Sequence, residues 1–234
     1  MKRALAALAV CAVTVASAAA ATPMEITARY DLSHPLFGTI ARVDESFQRR
    51  GDEYSIRSVT TSEGALKIVF DEQLVLESSG RVNDEGLQPL RFSQRRAKSN
   101  KSDVSATFDW ARGLMHSARN GEVKEVPLPP RTQDRISVMY QFMNMPAGTD
   151  RVSMNMSNGR KVDLYTYRLV DEEKVRTPAG AFDTLHYQRV TTDPKESHAD
   201  VWLAKDRFNF PVRVVFDDPK GLRLEQTLVG LESH

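Results

Sequence analysis

Hydrolysis, metal chelation and thiol chemistry each need particular side chains at particular spacings, and this sequence supplies few of them. The five histidines are His34, His116, His186, His198 and His234. No two of them stand at ligand spacing, and none belongs to a zinc-type motif with a neighbouring Asp or Glu, so no metal site is expected. His186 sits inside a strand pattern, Phe182-Asp183-Thr184-Leu185-His186-Tyr187, where a half-exposed histidine reads as structural. The one cysteine, Cys11, lies in the apolar N-terminal stretch, which leaves the rest of the chain without thiol chemistry. There is no G-x-S-x-G elbow for a serine nucleophile and no glycine-rich phosphate loop. Asp217-Asp218 and Glu172-Glu173 are paired carboxylates, but neighbours in a strand point to opposite faces and cannot converge on one bond. The chain therefore reads as non-catalytic and free of cofactors.

Binding is the chemistry that remains. Asp134 and Arg135 open an apolar-periodic segment. If Arg135 turns inward it needs a carboxylate partner; alternatively it grips an anionic head group of a ligand. Met139, Met143, Met145, Met154 and Met156 concentrate in and after the same segment. Methionine packs adaptably and suits surfaces that accept varied apolar partners, although it also serves as ordinary core filler. Arg135, Met139 and Met143 are the candidate ligand contacts. The basic run Arg95-Arg96-Ala97-Lys98-Ser99-Asn100-Lys101 reads as a solvated hairpin end.

The elements that position these residues are mostly strands. Ile26, Ala28, Tyr30 and Leu32 alternate with Glu25, Thr27, Arg29 and Asp31, and the pattern recurs down the chain to Leu231. Such alternation puts one face on a core and the other in water. Turn residues separate the runs, among them Asn120-Gly121 and Asn158-Gly159, the dipeptides that tight hairpins favour. The pattern predicts a mainly β fold: an antiparallel meander curled into an open barrel, spiral or half-barrel. One segment departs from it. Ile136, Met139, Tyr140 and Met143 follow helical spacing, Thr132 is placed to cap and Pro146 to terminate. This predicts one amphipathic helix over about 132–145, packed on or in the concave face of the sheet.

At the N-terminus, Lys2-Arg3 precedes an apolar run from Ala4 to Ala16 and then small residues. This predicts a signal peptide over residues 1–21, cleaved after Ala18, Ala20 or Ala21. The run is shorter than the roughly 20 apolar residues that span a bilayer. Val10 before Cys11 disfavours lipidation there. The expected organisation is thus a signal peptide and one β-rich periplasmic domain, 22–234, with no transmembrane span after cleavage. The chain carries 32 Lys and Arg against 31 Asp and Glu, and this balance argues against a nucleic-acid partner. Oligomeric state is not legible.

Four segments together resemble a known family. They are Gln133-Asp134-Arg135-Ile136-Ser137-Val138-Met139-Tyr140, then Thr177-Pro178-Ala179-Gly180-Ala181-Phe182-Asp183-Thr184-Leu185-His186, then Asp200-Val201-Trp202-Leu203-Ala204 with Phe210-Pro211-Val212-Arg213, and, more weakly, Leu87-Gln88-Pro89-Leu90-Arg91-Phe92 with Phe108-Asp109-Trp110. In this order they resemble the bacterial exported family called domain of unknown function 3108, over about residues 25–231. The resemblance implies an exported envelope protein with a β-rich fold, and it carries no activity and no site residue. Export and a one-sided β pattern then point to a binder of a lipid or other apolar envelope molecule. The rival expectation is a structural protein that supports the cell envelope by contacting an envelope protein or peptidoglycan.

Overall fold

The structure, a computed structural model, describes residues 24–64, 67, 73–97 and 103–234. The expected signal peptide and Cys11 lie outside the described residues, as do Lys98 to Lys101 of the basic run.

Among the described residues fifteen strands form one sheet. The first eight are β1 (Glu25–His34), β2 (Gly38–Arg50), β3 (Glu53–Ser62), β4 (Gln73–Asn83), β5 (Gly86–Arg96), β6 (Val104–Asp109), β7 (Leu114–Arg119) and β8 (Glu122–Pro127). The rest are β9 (Gln133–Asp134), β10 (Arg151–Ser157), β11 (Val162–Thr177), β12 (Gly180–Val190), β13 (His198–Ala204), β14 (Phe210–Asp217) and β15 (Arg223–Ser233). Every neighbour in the sheet is a neighbour in sequence except one pair. The terminal strands β1 and β15 meet in the middle, and β8 and β9, consecutive in the chain, are the two free edges. The expected antiparallel meander is therefore present, as an open sheet that does not close.

Alternation sets which residues face inward. In β1, Ile26, Ala28 and Tyr30 are buried between exposed Glu25, Thr27 and Arg29. In β2 and β3 the same holds for Val43 and Phe47 and for Tyr54 and Ile56. Bulges at Arg29/Tyr30, Ser79/Gly80 and Trp202/Leu203 interrupt the ladders and increase local twist, which curls the sheet. At Gly80 the partner strand comes so close that a Cβ would lie 2.1 Å from the Gln88 carbonyl oxygen. Only glycine fits there. Asn120 and Gly121 both take positive φ, 52° and 81°, as the tight β7–β8 hairpin requires.

Curling brings β5 and β7 against β9 and the β10–β11 turn. The Ser117 hydroxyl of β7 donates to the Gly159 carbonyl at 2.6 Å. The Gln133 amide of β9 donates to the Leu87 carbonyl of β5 at 2.6 Å. Gly159, with φ 82°, packs so tightly that a Cβ would stand 2.6 Å from Val104 Cγ1.

The predicted helix is shorter than 132–145. Helix α1 spans Ser137–Gln141, followed by a 3-10 turn, Phe142–Asn144. Gln133 and Asp134 instead pair in parallel with Met156 and Ser157 of β10, so this stretch is strand. Thr132 does not cap the helix; its hydroxyl donates to the Pro129 carbonyl at 2.7 Å. The N-cap position is Ile136, which has no side-chain cap; just ahead of it Asp134 Oδ1 accepts from the backbone N–H of Ile136 at 3.0 Å and of Ser137 at 2.9 Å, satisfying donors at the helix start. Met145 is already extended before Pro146.

The segment plugs the interior from both sides. Ile136 and Tyr140 join Tyr30, Phe47 and Phe210 in the main core, while Val138 and Phe142 join Tyr167, Tyr187, Val201 and Leu203 in a second cluster. Tyr140 stacks on Phe47 with centroids 5.2 Å apart and meets Phe210 edge-on at 5.9 Å.

Candidate functional site

Strand polarity gathers several scattered cations at one end of the curled sheet. β7 ends at Arg119, paired near Ser105 at the start of β6. β11 begins just after Arg160, and its early residues pair with the last residues of β12, next to Arg189. Arg135 follows β9, which pairs with the last residues of β10. These four arginines line one cavity of about 640 Å³ between α1 and the sheet. Its apolar wall includes Val104, Val138, Met139, Met156, Tyr167 and Phe216, a size and lining typical of small-molecule sites.

Arg189 is locked in place. Its guanidinium lies 4.1 Å over the Tyr165 ring, pairs with Glu196 at 2.6 Å and donates to the Ser197 carbonyl at 2.8 Å. Arg135 is held differently. It donates to Gln94 Oε1 at 2.9 Å, and no carboxylate pairs with it among the described residues. The side chain is accessible from the cavity, yet protein surrounds it. Desolvation lowers its pKa from the ordinary guanidinium value; the Tyr165 hydroxyl opposes this, and the like charges of Arg160 and Arg96 reinforce it. Asp218 is the one carboxylate lining the cavity, and its Oδ1 accepts from the backbone N–H of Lys220.

Of the three candidates read from the sequence, the structure brings Arg135 and Met139 to this cavity. Met143 does not line it and packs against the main core. The inward carboxylate that Arg135 could have found is engaged elsewhere: Asp134 is buried and receives the Ser78 hydroxyl at 2.5 Å. Burial pushes the Asp134 carboxyl up to about 6, against the opposing pull of its hydrogen bonds with Ser137, Ser78 and Ile136. Glu45 is a second inward carboxylate, raised by desolvation and held by the hydroxyls of Ser58 at 3.0 Å and Tyr140 at 3.2 Å. Sequence reading missed Arg119, Arg160 and Arg189. Each adjoins a hairpin turn at the same end of the sheet, and following strand direction around the meander would have brought them together.

A second polar cluster surrounds His186. The ring stacks on Trp202 at 4.1 Å and its Nε2 lies 2.7 Å from Asp200 Oδ1. Trp202 donates to Glu173 at 2.6 Å, and Arg213 covers the indole at 4.6 Å while pairing with Glu225 at 2.8 Å. These contacts run from strand to strand, so the cluster staples β11 to β15. His116 contacts Glu125 at 3.7 Å across the β7–β8 hairpin. Among the described residues no group of three or more His, Cys, Asp or Glu gathers as metal ligands. No helix among them is long and apolar enough to cross a membrane.

The profile of the family described as "Protein of unknown function (DUF3108)" matches residues 27–227. No curated protein matches the sequence. Among solved structures, the chain is similar to the β-barrel-like protein of domain of unknown function DUF1849 from Brucella abortus. The identity is 14%, with 92% of this chain and 100% of that chain covered and a TM-score of 0.59. That likeness is one of fold. A protein with a YmcC-like fold from Bacteroides fragilis is 15% identical, with 90% and 96% of the two chains covered and a TM-score of 0.40, too low to carry an argument.

Proposed function

We propose a function for this chain on the premise that it belongs to the DUF3108 family, whose profile spans most of its length: it is an exported protein of the bacterial envelope that binds a lipid or other apolar envelope molecule without transforming it. The observation that carries this reading is the cavity of about 640 Å³, walled by apolar side chains and bordered by arginines. The reading of export is supported by Lys2-Arg3, the apolar run and the small residues that follow, and the periplasm is the compartment we assign to the domain. Arg135 and Met139 are the contacts we assign to the ligand. Met139 sits on α1, and an unbranched thioether accommodates chains of varied shape.

Energetics favour an acyl-type occupant. Burial contributes about 0.8 kcal/mol per methylene, so a chain of about ten methylenes gains about 8 kcal/mol, comparable to what a ligand loses on immobilisation. Besides the four arginines, the polar residues lining the cavity are Gln94, Asn158, Tyr165, Tyr167, Ser197 and Asp218, and we read them as binding groups.

The test is to purify the protein from its native envelope, extract it and identify bound molecules by mass spectrometry. A lipid at near-stoichiometric yield is expected, and Ala199→Trp, which fills the cavity from β13, should abolish it. An empty extract, together with failure of the purified protein to take up any amphiphile, would sink the reading.

A further inference from the structure

We infer that the cavity selects amphiphiles with a compact anionic head, a carboxylate or a phosphate monoester, and that Arg119, Arg135 and Arg160 hold that head. The inference rests on the proposed function above and names the ligand class for the same site.

The argument is one of charge accounting. Several arginines of this sheet are matched by carboxylates, Arg95 by Glu77, Arg213 by Glu225 and Arg223 by Asp217, and so is one of the four at the cavity, Arg189, by Glu196. The other three at the cavity are not. No ion pair joins Arg119, Arg135 or Arg160 to a carboxylate among the described residues, and the one lining acid, Asp218, already receives a backbone N–H. Arg135 and Arg160 stand close enough for each to feel the other's charge. Like charges gathered beside an apolar wall raise the energy of the empty site, and an anion lowers it. Guanidinium groups also present paired N–H donors that match a carboxylate or phosphate, so the preference is geometric as well as electrostatic.

The placement of polar and apolar groups indicates how such a molecule lies. Arg119 and Arg160 belong to the turns at the end of β7 and the start of β11, and both also border a smaller polar pocket with Ser117, Lys124 and Glu122, the last of which pairs with Lys124 at 3.9 Å. Met139 and Val138 lie on α1, inside the curl. The head therefore sits toward the turns, and the chain runs along α1 toward Tyr167 and Val214.

The purified protein should be titrated calorimetrically with dodecanoate, dodecyl phosphate, dodecanol and inorganic phosphate. The two anionic amphiphiles should bind roughly tenfold or more tightly than dodecanol, with the difference shrinking at high salt. Inorganic phosphate should bind far more weakly than dodecyl phosphate. Arg160→Gln, in an exposed turn that leaves the core untouched, and Arg135→Gln should each weaken the anionic amphiphiles roughly tenfold and weaken dodecanol by a much smaller factor. Dodecanol binding as tightly as dodecanoate, or both variants binding like the parent, would overturn the inference while leaving the cavity reading intact. Inorganic phosphate equalling dodecyl phosphate would overturn it too, as an anion site without a chain. Failure of all three dodecyl compounds would overturn the proposed function itself.

Discussion

Replacing Asp134 by asparagine should change how this protein's stability responds to pH, and the size of the change follows from its surroundings. The carboxyl is fully enclosed and sits at about 6 rather than the ordinary 3.8. The native state therefore binds its proton more tightly than the unfolded chain does. Between those two values the native state holds more protons, so stability from this group is fully present below about pH 4 and is lost as pH rises through about 6. The shift corresponds to about 3 kcal/mol. Asparagine keeps the geometry: its oxygen can accept from Ile136 and Ser137, and its amide can donate to Ser78, whose hydroxyl is then free to donate to Tyr54. Near pH 4 the variant and the parent should be about equally stable. Near pH 7.5 the variant should be more stable, by about 3 kcal/mol. Denaturant unfolding followed by the fluorescence of Trp110 and Trp202 measures both, and the quantity to read is the difference between the two proteins at each pH. Glu45 is raised in the same direction, but it is present in both and cancels. A difference that stays flat from pH 4 to 7.5 would refute the reasoning. Asp134→Ala is the companion: it leaves three buried donors without an acceptor and should cost about 3–5 kcal/mol at pH 4.

Other perturbations test the packing and the site. Gly159→Ala puts a Cβ against Val104 at a residue with φ 82°, and should cost about 2–4 kcal/mol in denaturant unfolding by combining backbone strain with overpacking. Leu203→Ala removes a fully buried side chain of the second core cluster and should cost about 2–5 kcal/mol in the same assay. Tyr140→Phe keeps the stacking with Phe47 but takes the hydroxyl from Glu45. It should cost about 1–3 kcal/mol near neutral pH, and less in acid, where a protonated Glu45 needs that hydrogen bond less. Ala199→Trp should fold like the parent by circular dichroism and fail to take up dodecanoate.

The strands were legible because their signal is local. Ile26, Ala28 and Tyr30 declare an inward face with no knowledge of what covers it, and Asn120-Gly121 declares its own turn. The short helix was legible in type but not in extent. Thr132 and Asp134 are both of capping type, and which of them serves the helix start is decided by β10, which pairs with Gln133 and Asp134 from more than twenty residues away. Apolar spacing also showed only one stripe on the helix, since Val138 and Phe142 become core residues through packing against β10 to β13. The cavity was the least legible part. Arg135 could be singled out from its place beside an apolar segment, but Arg119 and Arg160 are ordinary turn-flanking cations in sequence, and only the curl of the sheet turns them toward one point. His186 shows the converse: it lacks a sequence motif, and its neighbours Glu173, Asp200 and Trp202 arrive from two other strands.

The pairing of β1 with β15 has a consequence for the order in which this molecule can assemble. Ile26 lies opposite Ser233, so β1 waits for β15 before its outer ladder is filled. The strands can zip with their sequence neighbours in two runs, β1 to β8 and β9 to β15, but the join between the runs links residues some two hundred positions apart. Loop-closure entropy makes such a pairing slow. Until it forms, the chain exposes a bare edge at Glu25–His34, a template for wrong partners. Truncating even a few residues at the C-terminus should therefore depress the soluble yield far more than it depresses the stability of the molecules that do fold.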